Sequence, residues 1–144
     1  MNPYDSLKLE NQVCFPLYAA AREAVKLYNP FLSEIDLTYT QYVTMMVLWE
    51  KENLSVKTLG EKLYLDSGTL TPLLKSLEKK GFIKRERSKE DERFLIVSLT
   101  KEGKDLREKA LPIPEKVYKC VNMSKEDSLK LYQLLYQLLN TLHN

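Results

Sequence analysis

The chain of 144 residues is short of the residue types that build several common kinds of functional site. It has four glycines, none of them in a glycine-rich phosphate-binding loop, and one histidine, His143, near its carboxyl end. A histidine-based metal site or catalytic site is therefore not expected, and we predict no cofactor and no enzymatic activity. With four glycines and six prolines, the chain also has little room for long loops.

Long apolar runs are missing as well. No stretch approaches the about 20 apolar residues that cross a membrane, and residues 1–15 lack the basic segment and apolar run of a secretory signal. We therefore expect a cytoplasmic protein without a membrane partner. In a reducing compartment Cys14 and Cys120 would not form a structural framework, so each is either a buried apolar side chain or a redox-active group.

Charge is balanced overall but unevenly distributed. The formal net charge is only +2, which does not by itself indicate a nucleic-acid-binding protein. Between Lys75 and Lys89, however, there are seven basic residues against Glu78 and Glu86. A local basic segment of this kind fits either a solvated helix face or a DNA-binding face.

The 44% hydrophobic content is ordinary for one globular domain, and we predict a single domain over residues 1–144. Apolar residues recur at helical spacing from Leu7 to Tyr28, although Pro16 shifts the start of the regular helix towards residues 15–16 or kinks it there. Asn29-Pro30 is expected to interrupt this first helix. The remaining predicted elements are a second helix over 40–52, a third capped by Ser55, a fourth capped by Asp66 or Ser67 and ending at Lys80, strands over 82–87 and 94–99, a fifth helix from Thr100 disturbed by Pro112 and Pro114, and a sixth from Ser124.

The start of the fourth helix is unusually polar. Ser67, Thr69 and Thr71 are short hydrogen-bonding residues, and Gly68 has no side chain to hold the helix away from a phosphate. A helix amino terminus offers free N–H groups and a positive dipole end. Simple capping by Ser67 and Thr69 is the alternative, but a charged hairpin follows at a distance that favours DNA contact. The predicted DNA-contacting residues of this helix are Ser67, Gly68, Thr69, Thr71, Pro72 and Lys75.

The hairpin between the two predicted strands has a polar tip. Arg93 lies there, two residues after Asp91, and an arginine on a thin loop can enter a narrow minor groove. The Asp91 carboxylate can orient the guanidinium by a bidentate pair. Basic residues along the hairpin are expected near phosphates, where they provide affinity rather than sequence choice; they are Lys84, Arg85, Arg87 and Lys89. A helix, a turn, a second helix and a charged hairpin together predict a winged helix-turn-helix that binds duplex DNA.

The last predicted helix has more apolar positions than one packing face requires. Its leucines are Leu129, Leu131, Leu134, Leu135, Leu138, Leu139 and Leu142. The helix is either a core helix of a monomer or half of an interface, and we favour the interface. A second copy of the chain would give a twofold dimer, which would place two recognition helices in successive major grooves of a palindrome.

Two groups of residues resemble a known family. The run from Leu65 to Lys75, with Asp91-Glu-Arg93 and Ser98-Leu-Thr-Lys-Glu-Gly103, resembles the MarR family of bacterial transcriptional regulators. The surroundings of Cys14, with Tyr28, Thr38–Tyr42 and Trp49-Glu50, resemble its organic-hydroperoxide-sensing, OhrR-like branch. The resemblance implies a mainly α fold with a small β-wing, a winged helix over about 38–100, and dimerisation through helices over about 7–29 and 101–144.

The resemblance also implies a sensor. In OhrR-like proteins a cysteine near the start of the first helix reacts with the peroxide, and tyrosines of the partner subunit hydrogen-bond its thiolate. By position these are Cys14, Tyr28 and Tyr39, with Tyr18 a further lining residue. A helix amino terminus and phenol donors favour a thiolate, and the apolar residues after Cys14 suit an organic hydroperoxide. The expected product is a sulfenic acid.

Several alternatives remain open. Cys120 either resolves oxidised Cys14 across the subunits or is an inert side chain. The protein could instead be a MarR-like regulator of a small apolar or phenolic ligand, or a broader redox-responsive virulence regulator. A thiol peroxidase using Cys14 and Cys120 is less favoured, because it leaves the recognition helix unexplained. The operator, the target genes, the oxidant, and the choice between repressor and activator are not encoded in these patterns.

Overall fold

A computed structural model describes residues 2–143 and confirms the mainly helical fold with a small β-wing. Two short 3₁₀ helices, Pro3–Leu7 and Leu9–Asn11, precede the first α-helix. The elements that follow are α1 (Cys14–Ser33), α2 (Tyr39–Glu50), β1 (Asn53–Ser55), α3 (Val56–Leu63), α4 (Ser67–Lys79), β2 (Ile83–Arg87), β3 (Leu95–Leu99), α5 (Lys101–Ala110), α6 (Ile113–Cys120) and α7 (Lys125–Leu142).

The sheet has three antiparallel strands in the order β1-β3-β2. β2 and β3 form the predicted hairpin, with register from Ile83 opposite Leu99 to Arg87 opposite Leu95. β1, which the sequence did not reveal, pairs Asn53 with Ser98 and Ser55 with Ile96. Three residues are too few to show a period-two pattern, so only the pairing with β3 defines β1.

The core of the winged helix is formed by one face of each element. Leu70, Leu74 and Leu77 of α4 are at most 1% exposed, whereas Leu73 is half-buried. They are buried with apolar residues of the neighbouring elements, namely Met45, Leu48, Leu59, Ile83 and Val97. Burying one such side chain contributes about 1.5–3 kcal/mol, so the spacing of leucines in α4 fixes which face is left for solvent.

Polar caps define where the helices begin. Ser55 Oγ accepts from Thr58 N at 3.1 Å and Ser124 Oγ accepts from Asp127 N at 3.1 Å, as predicted. For α4 the cap is Asp66 and not Ser67. A cap satisfies an N–H group that has no partner within the helix, so these residues fix the first turn of their helices.

The helix breaks predicted at prolines are only partly correct, because the helical chain is broken as predicted near Pro112, between α5 and α6, but not at Pro30. α1 continues through Pro30 to Ser33, so the predicted break at Asn29-Pro30 is wrong. A proline inside a helix removes one backbone hydrogen bond, and only one turn of α1 follows it. Pro16 is the third residue of α1, in the first turn where proline is tolerated. The start of α1 at Cys14 agrees with the predicted start near residues 15–16 rather than with a kink there, and residues 7–13 have 3₁₀ and extended backbone.

The chain divides into two compact units, one ending at Ile113 and one beginning at Pro114. Within the second unit, α7 exposes Leu129, Leu134 and Leu142, which are 56%, 63% and 68% exposed, and Tyr132 packs edge-on against Tyr136 at 4.9 Å. Among residues 2–143, no helix has both the length and the apolar character needed to span a membrane.

Candidate DNA-binding surface and cysteine site

The amino end of α4 presents a small polar surface to solvent. Ser67, Gly68 and Thr69 are exposed. Asp66 Oδ1 accepts from Thr69 N at 2.8 Å, and this backbone hydrogen bond lowers the pKa of the Asp66 carboxyl below its ordinary value. The first turn is therefore fixed by Asp66, and a hydrogen bond from the Thr69 side chain lowers the pKa of the same carboxyl further.

The cap gives a pH-dependent prediction. Because the folded-state pKa of Asp66 is lowered, its contribution to stability is present above the ordinary pKa of 3.8 and is lost as pH falls through the lowered value. Asp66→Asn keeps a neutral cap acceptor. We expect the urea midpoints of the two proteins to converge as pH falls from 7 to 3. Midpoints that stay equally far apart at both pH values would contradict the assignment.

The next turn of α4 extends the same surface. Pro72 and Lys75 are exposed, and Thr71 is half-buried. Pro72 is the sixth residue of α4, so it lies beyond the first turn and cannot donate to the Gly68 carbonyl. The six predicted residues of α4 thus share its solvent-facing side, opposite the buried leucines.

Arg93, near the tip of the wing, forms the predicted bidentate pair with Asp91. Arg93 Nε donates to Asp91 Oδ1 at 3.0 Å and Arg93 Nη2 donates to Asp91 Oδ2 at 2.8 Å. These side-chain bonds lower the pKa of Asp91 and raise the pKa of Arg93 from their ordinary values. The Arg93 side chain is still 85% exposed, so the guanidinium is oriented at the wing tip without being buried.

The basic residues of the hairpin do not all face outward. Lys84, Arg87 and Lys89 are exposed. Arg85 is different, because its side chain is only 17% exposed and its Nη2 lies 3.1 Å from Glu78 Oε1. The same pair lowers the pKa of Glu78. The prediction that Arg85 contacts a phosphate is therefore wrong. Side chains alternate along a strand, so that of Arg85 faces α4 while those of Lys84 and Glu86 face solvent.

Cys14 is exposed and is the first residue of α1. Its backbone therefore lies at the positive end of the helix dipole. Residues close to Cys14 in sequence line an open depression of about 630 Å³. The residues that line the depression are Lys8, Leu9, Glu10, Gln12, Phe15 and Pro16. The depression is partly apolar and open to a small molecule, and Cys14 itself is not among its lining residues.

Two of the predicted sensor tyrosines lie together, and a third joins them. The rings of Tyr28 and Tyr39 pack edge-on with centroids 4.9 Å apart. Tyr42 is not among the predicted sensor residues, yet its ring centroid lies 5.8 Å from that of Tyr28 and 6.3 Å from that of Tyr39. Burial raises the pKa of Tyr42 to about 12, so its phenol stays neutral. The sequence signal that could have identified Tyr42 is its position on α2, one helical turn after Thr38.

The other two predicted sensor residues, Tyr18 and Cys120, are both exposed to solvent. Tyr18 is 61% exposed, with the guanidinium of Arg22 over its ring at 5.2 Å from the centroid. Cys120 is the exposed last residue of α6, and its Sγ donates to the Lys116 carbonyl at 3.4 Å. Both thiols are free and reachable from solvent.

Comparison with known proteins places this geometry in a family. The sequence model described as "Transcriptional regulator SarA/Rot" matches residues 26–110. The organic hydroperoxide resistance transcriptional regulator of Bacillus subtilis is 52% identical over 142 residues, covering 99% of this chain and 97% of its own length. The HTH-type transcriptional regulator SarZ of Staphylococcus saprophyticus is 43% identical, covering 92% and 90%.

Solved structures agree with the sequence relatives. Reduced AbfR bound to DNA superposes with a TM-score of 0.78 at 34% identity, with 96% of both chains covered; AbfR comes from Staphylococcus epidermidis. The same protein is known in an overoxidized form bound to DNA, with a TM-score of 0.78, and in a disulfide form, with a TM-score of 0.64. This fold is therefore compatible with DNA and with more than one oxidation state of a regulator.

Proposed function

Because this chain belongs to the MarR-like SarA/Rot family of winged-helix transcriptional regulators, we propose that it is a repressor that leaves its operator when Cys14 is oxidised by an organic hydroperoxide. It is a DNA-binding regulator by family and fold rather than an enzyme. The observation that carries the redox proposal is the exposed thiol at the amino end of α1, in a relative of an organic hydroperoxide resistance regulator. Its place of action is the cytoplasm, where bacterial DNA lies.

The DNA contacts follow from the two exposed surfaces. The amino end of α4 would enter the major groove with Ser67, Thr69 and Thr71, while Gly68 lets its backbone approach a phosphate and Pro72 lies exposed in the next turn. Lys75, Lys84 and Arg87 would neutralise phosphates. Arg93, held by Asp91, would enter the minor groove. In a twofold dimer the same surfaces recur, which matches a pseudo-palindromic operator.

The chemistry at Cys14 is a two-electron oxidation. The thiolate sulfur attacks the terminal oxygen of the hydroperoxide, a sulfur–oxygen bond forms and the oxygen–oxygen bond breaks. The sulfur becomes a sulfenic acid, and the departing alkoxide takes a proton to leave as an alcohol. Tyr28 and Tyr39 of the partner subunit would hydrogen-bond the thiolate, with Tyr18 lining the same space. Leu9 and Phe15 line the depression near the start of α1, and such apolar side chains would favour an organic peroxide over hydrogen peroxide.

The exposed Cys120 is the candidate partner for the second step. Attack of its thiolate on the sulfenic sulfur of the other subunit would release water and form a disulfide between Cys14 and Cys120. Non-reducing electrophoresis after stoichiometric peroxide would show a covalent dimer that is lost in both Cys14→Ser and Cys120→Ser. Oxidised protein that stays monomeric on such a gel removes this step and leaves Cys120 inert.

The test is fluorescence anisotropy on a labelled duplex from the promoter region of the protein's own gene. Wild type and Cys14→Ser would be measured with and without stoichiometric cumene hydroperoxide. We expect both reduced proteins to bind tightly and only wild type to weaken, by about 100-fold, or about 3 kcal/mol. Equal weakening of Cys14→Ser would favour a regulator of a small apolar ligand, and repeated turnover of peroxide with a thiol reductant would favour a peroxidase.

A further inference from the structure

We propose that Gln41 is the positioning residue that couples the tyrosine cluster to the recognition helix, which rests on the function proposed above. Gln41 is the third residue of α2 and only 4% exposed. A buried amide keeps its place only where its hydrogen-bonding groups find partners. Those of Gln41 lie on two different elements, the start of α2 and the carboxyl half of α4.

On the α2 side, Gln41 closes the first turn. Its Oε1 accepts from Thr38 N at 3.0 Å, and Thr38 Oγ1 accepts from Gln41 N at 3.3 Å. This reciprocal capping box fixes the amide to the beginning of α2. Tyr39 and Tyr42 belong to the same turn, so the amide and two rings of the cluster with Tyr28 move as one piece of backbone.

On the α4 side, the same amide holds two residues one turn apart. Gln41 Nε2 donates to Ser76 Oγ at 2.9 Å, and Lys80 Nζ donates to Gln41 Oε1 at 2.8 Å. Lys80 Nζ also donates to the Asp36 carbonyl at 2.7 Å, in the turn before α2. The amide orientation is fixed by chemistry, because two of its neighbours are N–H donors that only the oxygen can accept.

The positions of the bonded residues on α4 suit the transmission of a structural change from α2. Ser76 and Lys80 lie on the inner side of α4 and at its end, while the predicted DNA contacts lie at its exposed start. A displacement of the first turn of α2, which carries Tyr39 and Tyr42, therefore reaches α4 directly through hydrogen bonds. An amide with three partners has one arrangement that satisfies all of them. A shift of the first turn of α2 is therefore passed to α4 through the hydrogen bonds of Gln41.

The test compares four variants with wild type. Ser76→Ala removes one bond across the two helices, and Gln41→Leu removes all three side-chain bonds. Gln41→Glu keeps both acceptor roles and can accept from the Ser76 hydroxyl. Ser33→Ala is the matched control, because its hydroxyl bonds only to its own helix, at the Pro30 carbonyl 3.1 Å away. Operator affinity is measured by anisotropy before and after stoichiometric cumene hydroperoxide, together with thermal stability and the rate of Cys14 thiol loss.

The readout is the ratio of the oxidised to the reduced dissociation constant. We expect about 100-fold for wild type, Gln41→Glu and Ser33→Ala, and about 10-fold or less for Ser76→Ala and Gln41→Leu, at an unchanged rate of thiol loss. If Ser76→Ala and Gln41→Leu lose stability or reduced-state affinity but keep the wild-type ratio of dissociation constants, Gln41 has only a structural role and the proposal is overturned. Wild type that loses its thiol without losing affinity would instead overturn the proposed function, and the coupling with it.

Discussion

Arg93→Glu is expected to weaken operator binding about 100-fold or more at low salt. The substitution removes the exposed guanidinium that Asp91 orients and puts a carboxylate at the wing tip beside the phosphates. It also leaves Asp91 without its arginine, so two negative charges face the minor groove. Anisotropy titrations over a range of salt concentrations would measure both the affinity and the number of phosphates neutralised.

Two controls separate charge from geometry. Arg93→Lys keeps the charge but cannot form the bidentate pair with Asp91, so an intermediate loss is expected. Lys26→Glu makes the same change of charge on α1, where Lys26 pairs with Glu23 at 3.4 Å, and should bind almost as wild type. Equal losses for Arg93→Glu and Lys26→Glu would mean that net charge alone, and not the wing, determines affinity.

Gly103→Ala is expected to destabilise the fold by about 3 kcal/mol, or roughly 100-fold in the unfolding equilibrium. A Cβ at Gly103 would collide with the Phe82 carbonyl oxygen and come within 3.2 Å of Leu99 Cδ2. The backbone cannot withdraw easily, because Thr100 N donates to that Phe82 carbonyl at 3.1 Å and Trp49 Nε1 donates to the Gly103 carbonyl at 2.8 Å. Urea unfolding at equal protein concentration would measure the loss, since dimerisation links stability to concentration.

Gly68→Ala is the matched control for this glycine. A Cβ there would meet only Asp66 Oδ1, at the ordinary distance of 3.4 Å. Alanine is the better helix former, so we expect stability to rise by about 0.5–1 kcal/mol. DNA affinity should fall at the same time, because the new methyl group lies on the surface proposed to approach a phosphate. If Gly103→Ala is as stable as Gly68→Ala, the close packing of α5 against Phe82 is wrong.

The positions of the DNA-contacting elements could be predicted because each is encoded locally. Leucines at helical spacing identify the buried face of α4, and the opposite face then has to meet solvent or DNA. Two strands separated by a polar tip predict the wing. The pair of Asp91 and Arg93 also lies within three residues, so its geometry depends little on the rest of the fold.

Residues whose partners are far away in sequence could not be predicted in this way. In the sequence Arg85 is one more cation of a basic segment. In the folded protein strand β2 packs beside α4, and Arg85 pairs with Glu78. In the sequence Gln41 is only a polar residue of α2. In the folded protein its amide contacts Ser76 and Lys80, which lie 35 and 39 residues later in the chain. Pro30 reads as a helix stop, yet α1 continues through it to Ser33.

The sequence by itself determined the winged helix, the exposed start of α4, the wing pair and Cys14 near the first helix start, because capping, helical periodicity and turn chemistry act over a few residues. The tertiary structure decided which cations remain free for phosphates, why residue 103 must lack a side chain, and how the tyrosine turn of α2 is joined to α4. Those features depend on long-range packing, where a buried polar group must find a partner that local sequence does not name.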